Sequence, residues 1–411
     1  MHLEARKNLS ASVSRDDSPD WYILGVLSLL MGFASISTDL YLPAMPAMGR
    51  ALNAGHGVIE LTISGYLIGF SLGQLLWGPI GDRYGRRSSI AAGLLLFIIG
   101  SAGCAVAESA HSLIAWRIVQ ALGACSCVAL SRAMVRDLYD GNQAARMLSI
   151  LLTVMAVAPL VGPLVGGQIV VFVGWRAIFW FLVSVGILTF IALWTIPETL
   201  PASHRNRAPL HNAISGYFEL LHNRRMLAYA GTGGFLYAGM FAYIAGTPFA
   251  YIDYYHIPEQ RYGLLFGLAV IGIMGTNMLN SRLVMRYGYD RILLLGSFSA
   301  FLAAVDAATA SGTGWGGLWG LAIPLFLFVS TTGLIVANSI TGALAHFPER
   351  AGAVSALVGA IHYGSGILGS ALVGALADGT PWPMGLIIGI TGGGCLLATL
   401  LLPHNVSVEN S

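Results

Sequence analysis

"GPIGDRYGRR", residues 78–87, returns in altered form as "SRLVMRYGYDR", residues 281–291. Arg83-Tyr84-Gly85 recurs as Arg286-Tyr287-Gly288, and at the same offset Gln74 falls on Asn277 and Gly78 on Ser281. Each copy follows one long apolar run and precedes another, so the same polar loop occupies equivalent places in two halves of the chain. In so apolar a sequence, an internal repeat of this kind predicts two homologous helical bundles with a cavity between them.

Composition agrees. Of 411 residues 56% are hydrophobic and 10% charged, against about 25% charged in a typical soluble domain. A soluble core of this size has no room for that much apolar surface. Runs near 20 residues, each long enough to cross a bilayer as a helix, occupy 21–48, 57–79, 88–107, 111–134, 147–171 and 175–196. Six more occupy 226–251, 261–284, 290–311, 315–338, 352–376 and 382–402. The fold expected is an all-α polytopic membrane protein with twelve transmembrane helices. Its first bundle spans 21–196 and its second 226–402, joined by the polar linker 197–225 and flanked by tails 1–20 and 403–411. Residues 1–20 are polar and mixed in charge and do not read as a secretory signal.

Basic residues set the expected orientation. With the N-terminus inside, 17 of the 21 Lys and Arg fall in cytoplasmic segments. Arg50 and Arg261 fall in outer loops, and Arg117 and Arg176 lie in or at spans. Both termini are then cytoplasmic. The net charge of +2 is a product of this topology and gives no indication of nucleic acid. Cys104, Cys125, Cys127 and Cys395 all lie in apolar runs and read as buried thiols. Cys125 and Cys127 stand about 200° apart on a helix, which rules out joint metal ligation. No metal site is expected. Glycines at 65, 69 and 73, and again at 385, 389 and 393, form stripes suited to close helix contact.

Four places carry chemistry. Asp39, in "SISTDLYLPAMP" (35–46), is the only charge between Trp21 and Met48, and about 13 Å of helix separates it from Met48. A carboxylate at such a depth is a functional-site candidate by default. Pro43 cannot donate to the Asp39 carbonyl, which places the acid on a loosened turn. Such irregularity is tolerated only where it faces protein or a watery cavity. Arg117, with Gln120 one turn on, lies about 9 Å inside the fourth span counted from His111. In the loop after the second span, which opens at Gly78, Asp82 is placed to pair with Arg83, Arg86 and Arg87, while Gly85 allows a tight turn. Such a charge cluster can lock one conformation. In the second copy Met285 stands where Asp82 would repeat, so the lock is expected in the first half alone. In the fifth span, "APLVGPLVGG" (158–167) sets Pro159 and Pro163 among Gly162, Gly166 and Gly167, a kinked and closely packable segment.

These motifs resemble those of the major facilitator superfamily. Residues 78–87 are similar to its loop signature G-x-L-A-D-r-x-G-r-k, with Ile80 for the Leu and Gly81 for the Ala. "RIVQALG" (117–123) resembles R-x-x-q-G-x-g, with Ala121 for the first Gly. Residues 158–167 resemble the antiporter signature g-x-x-x-G-P-x-x-G-G, with Ala158 for the leading Gly. Together with "DLYLP" and "PETLP" (197–201), they make the chain similar to drug:proton antiporters of the Bcr/CflA family, its bicyclomycin-resistance branch in particular, over roughly 20–402.

The resemblance implies the major facilitator fold and a secondary active multidrug efflux transporter of the bacterial inner membrane. It would exchange protons for bicyclomycin- or phenicol-type antibiotics by alternating access. Arg117 would serve proton coupling beside Asp39, since spans one and four line the cavity in that family. The alternative is a proton-coupled importer or exporter of a small metabolite or nutrient.

No cofactor is expected, the proton gradient supplying the energy, and two halves in one chain suit a functional monomer. A cavity for weakly polar drugs should be apolar and aromatic. Tyr41, Tyr66, Phe70, Gln120, Tyr237, Phe241, Asn338 and His362 are the expected substrate-binding residues. Lipid-facing aromatics share the same spacing, and a lone His is often structural. No H-E-x-x-H, G-x-S-x-G or Walker loop occurs, so the sequence does not read as an enzyme.

Overall fold

The computed structural model describes residues 21–139, 141–205, 217–345 and 347–402. The expected tails 1–20 and 403–411, and the middle of the linker (206–216), lie outside the described residues. Nearly everything described is helical. Eleven helices are long and apolar enough to cross a membrane. They are α1 (Trp21–Ala51), α2 (His56–Tyr84), α3 (Arg86–Ala105), α4 (Ala110–Leu138), α6 (Trp175–Leu193), α7 (Arg224–Tyr254), α8 (Glu259–Tyr287), α9 (Tyr289–Thr313), α10 (Gly317–Ala345), α11 (Ala351–Ala375) and α12 (Trp382–Leu400). The twelfth expected span is α5 (Gly141–Phe172), whose shorter apolar part is Val157–Phe172.

The helix breaks fall where the backbone chemistry demands them. In α1 the helix stops at Asp39, passes through a 3-10 turn at Leu42–Ala44 containing Pro43, and resumes at Met45–Ala51 with Pro46 in its first turn. The two prolines withdraw donors that a continuous helix would need. α7 ends in a π-helical turn, Phe249–Tyr254, directly after Pro248. α5 stays helical through both Pro159 and Pro163.

The repeated loop repeats its geometry. Gly85 and Gly288 have φ of 100° and 77°, conformations that only glycine adopts without strain. The helices preceding them, α2 and α8, are both 29 residues long.

Lipid removes most of the hydrophobic drive between helices, so cohesion comes from close packing. The glycine stripes supply it. A Cβ on Gly69 would strike the Ile118 carbonyl of α4, and one on Gly73 would lie 2.6 Å from Cys125 Cβ. Gly385 and Gly389 bring α12 against Ser311 and Ala308 of α9 in the same way. All four cysteines are buried and free. Leu188, Leu268, Leu295 and Leu368 face outward, as a lipid-facing surface requires.

In the first bundle α2 and α3 pack on α4, α6 on α3, and α1 on α4 and α5. In the second α7 packs on α11 and α12, and α9 on α10 and α12. Two joints hold the bundles together, α2 against α11 and α5 against α8. At the face where α2 begins and α11 ends, here the far face, both joints are shut. Gly57 lies against the Gly374 carbonyl, Ser64 and Ser370 share a 2.8 Å hydrogen bond, and Gly263 of α8 receives Leu164 of α5. Toward the opposite face, which carries the Arg83–Arg87 loop, α8 is exposed: past Val270 only Asn280 is fully buried.

Candidate functional site

The site begins at the break in α1. Asp39 is buried, and the hydroxyl of Thr38 donates to its Oδ1 at 3.1 Å. The surface it rests on is the glycine segment of α5. A Cβ on Gly162 would sit 3.1 Å from that of Asp39, and one on Gly166 would collide with the Leu40 carbonyl. Gly167 turns the other way, toward the Glu259 carbonyl of α8. Pro163 lies among them without interrupting the helix. The segment is thus in contact with the α1 break on one side and with the second bundle on the other. Any side chain on these glycines would push the turn and the joint apart.

Arg117 is fully buried. Its Nη1 donates to the Ser37 carbonyl at 2.9 Å and to Gln120 Oε1 at 2.6 Å, and Gln120 Nε2 donates to Ser101 of α3 at 2.8 Å. The guanidinium lies 4.1 Å from the Tyr41 ring centre and 4.4 Å from that of Tyr66. Its Nε and Nη2 have no hydrogen-bond acceptor, so two π faces take the place of one. Among the described residues Arg117 forms no ion pair with Asp39. It reaches the acid's turn through the backbone, two residues earlier.

From Tyr66 a chain of rings crosses between the bundles. Tyr66 stacks on Phe70 with centroids 6.1 Å apart, and Phe70 lies 4.5 Å from Tyr363 of α11. Tyr363 meets Tyr237 at 5.4 Å and Phe241 at 6.0 Å, and Tyr237 stacks on His362 at 4.8 Å. Gly366, with no side chain, admits Phe241 and Leu67 beside it. The structure therefore brings together Tyr66, Phe70, Tyr237, Phe241 and His362. Their connector, Tyr363, escaped sequence reading because it is the one aromatic residue of α11 and has no helical partner at i, i+4.

The other expected pocket residues lie elsewhere. Tyr41 faces Arg117 and hydrogen-bonds Thr62 at 3.2 Å. Gln120 is tied to Arg117 and Ser101. Asn338 donates to Asn280 of α8 at 2.7 Å, inside the second bundle.

At the loop face, Arg86 pairs with Asp82 at 2.6 Å and with Asp137 of α4 at 3.0 Å. Arg87 donates to the Ile196 carbonyl at 3.0 Å and lies over Trp194, while Arg83 lies over Tyr84. Glu198, from the "PETLP" stretch, accepts the backbone N–H groups of Arg86 at 2.8 Å and Arg87 at 3.2 Å. It thereby satisfies orphan donors at the start of α3 and sets a negative charge at a helix N-terminus. A Cβ on Gly85 would also lie 2.6 Å from Glu198 Oε2, so the carboxylate that caps α3 would have to shift. Gly78 has open space around it. Every ionic partner of this cluster among the described residues belongs to the first bundle. Asp137 and Glu198 were not singled out from sequence: Asp137 lies in no quoted motif, and "PETLP" by itself does not show that Glu198 meets the start of α3. No group of three or more His, Cys, Asp or Glu suited to a metal occurs among the described residues.

Comparison with known proteins places this architecture. Residues 27–370 match the family model described as Major Facilitator Superfamily. The chain is 32% identical over 373 residues to an uncharacterized MFS-type transporter, YdgK, of Bacillus subtilis, covering 90% of this chain and 92% of that one. A bicyclomycin resistance protein homolog of Haemophilus influenzae is 30% identical over 390 residues, covering 94% and 96%. A chloramphenicol resistance protein of Pseudomonas aeruginosa is 30% identical over 382 residues, covering 88% and 87%. Among solved structures, the xylose transporter XylE of E. coli in a partially occluded inward open conformation superposes with a TM-score of 0.71 at 15% identity, covering 94% and 98%.

Proposed function

The chain belongs to the Major Facilitator Superfamily, and from that premise we propose that it is a multidrug exporter exchanging protons for small, weakly polar antibiotics of bicyclomycin or phenicol type. Relatives named for resistance to bicyclomycin and chloramphenicol support the substrate class. The observation that carries the mechanism is the contact of Gly162 and Gly166 with the Asp39–Leu40 turn. One helix segment thereby touches both the buried acid and the joint to the second bundle.

In this reading the two halves, 21–196 and 226–402, rock about the linker 197–225 in the inner membrane, with both termini in the cytoplasm. The loop face is cytoplasmic and admits the substrate, which settles among Tyr66, Phe70, Tyr237, Phe241, His362 and Tyr363. These rings supply apolar faces and a few hydroxyls, the chemistry an uncharged drug requires. Tyr41, Gln120 and Asn338 hold the walls of that site. Asp39 carries the exchanged proton. Its gain or loss of charge alters the turn that α5 supports, and α5 transmits the change to α8. Arg117 positions the turn by holding the Ser37 carbonyl. The Asp82–Arg86–Asp137 cluster, with Glu198, keeps the cytoplasmic ends of the first bundle rigid, so that it moves as one body.

The proton gradient is the energy source, and a single chain forms the whole path. Expression in an efflux-deficient bacterium tests the reading. Raised resistance to bicyclomycin or a phenicol, abolished by an uncoupler, is the expected outcome. Uptake of substrate with protons in inverted vesicles, in place of exchange, would establish the importer instead.

A further inference from the structure

Glu60 lies in the first turns of α2, within the far-face joint and outside the site described above. It is 3% exposed, and among the described residues no group donates to its Oε2. Gly374 of α11 lies directly opposite: a Cβ there would come within 3.4 Å of Glu60 Cβ and 3.5 Å of Oε2. The joint is fastened on both sides of this carboxyl, by Gly57 against Gly374 and by Ser64 with Ser370.

The charges nearby are engaged elsewhere. On α2 itself, His56 pairs with Asp253 at 3.3 Å and stacks on Phe249. On α1, Arg50 reaches Asp253 at 3.4 Å and Glu259 at 3.1 Å. From α11 come Val373 and Gly374, and from the turn after it Ala377, none of which titrates, and from α7 come Gly246, Phe249, Ala250 and the phenol Tyr254. Beyond α11, Asp378 accepts from the backbone and hydroxyl of Thr380, and Pro383 and Met384 of α12 complete the wall. Glu60 is therefore an acid from one bundle enclosed by the other, and among the described residues no cation pairs with it. A carboxylate enclosed in this way loses its hydration and gains nothing in return.

We propose that Glu60 is a proton-operated latch on the far-face joint, which closes over the neutral acid and opens when the carboxyl gives its proton to water. The proposal rests on the alternating-access reading above, and it assigns Glu60 to the gate while Asp39 remains the exchanged site. For an exporter whose far face meets the acidic side of the membrane, the latch has a direct use. Once substrate has left, a proton from that side shuts the joint and returns the carrier to its loading state.

The test reads the gate without reading transport. Spin labels on Ala51→Cys and Ala375→Cys, exposed positions at the ends of α1 and α11, report the far-face distance in lipid nanodiscs between pH 5 and 8. Wild-type protein should move from the short to the long distance as pH rises, the open-to-closed ratio changing by at most about tenfold per pH unit, the limit for one proton. Glu60→Gln and the apolar Glu60→Leu should both stay short throughout, while His56→Gln should keep the wild-type response. A pH response that survives both Glu60 variants, vanishes in His56→Gln, or is absent from wild-type protein overturns the latch. Such a result leaves the export reading standing, since that reading is decided by substrate flux; a latch that responds in a protein unable to export would have the opposite meaning.

Discussion

Ser64 of α2 and Ser370 of α11 are 306 residues apart in sequence and share a 2.8 Å hydrogen bond across the two bundles. In the proposed cycle this joint parts, and a pair this close should then be lockable. With their side-chain ends 2.8 Å apart, Ser64→Cys and Ser370→Cys are expected to form a disulfide under mild oxidant. Transport should then stop and return with reductant. Full activity of the cross-linked protein would show that this joint does not open.

Asp39→Asn keeps the shape of the buried turn and removes its charge. Export driven by a pH gradient in proteoliposomes should fall to background, while binding of the drug is retained. Undiminished gradient-driven efflux would remove Asp39 from proton coupling.

Arg117 makes two hydrogen bonds and two ring contacts that Lys has neither the length nor the planar fork to reproduce. Arg117→Lys should reach the membrane in normal amount yet lose at least about tenfold in export rate, equivalent to ~1.4 kcal/mol. Quantifying folded protein by size-exclusion fluorescence beside the flux separates the two effects.

Tyr363 is the ring through which the first-bundle aromatics meet those of the second. Tyr363→Ala should weaken drug binding by about tenfold, the effect of one or two aromatic contacts, and Tyr363→Phe should leave it within about twofold of wild type. Equal binding by the Ala variant would move the site elsewhere.

Glu198→Ala takes the acceptor from two backbone donors at the start of α3. A loss of about 1–3 kcal/mol is expected for such half-buried charge-assisted bonds, visible as a lowered melting temperature in detergent. Gly85→Ala should act in the same direction, because its φ of 100° and the nearby Glu198 both oppose a Cβ.

The sequence by itself determined the helical membrane fold, the two halves and the turn glycines. Apolar run length, a repeated loop and the backbone limits of proline and glycine are local properties, readable one segment at a time. It also marked Asp39 and Arg117, because a charge in an apolar run is conspicuous without any knowledge of its neighbours. Tertiary structure decided what those residues touch: Arg117 holds the Ser37 carbonyl instead of pairing with Asp39, and the α5 glycines are spaced to seat the α1 break. It also supplied Tyr363 and Glu60, which carry no motif of their own, and the partners of Glu198. Their significance comes from surfaces far apart in the chain meeting at a joint, and helix-to-helix register across such a joint is set by packing between segments that no single stretch of sequence encodes.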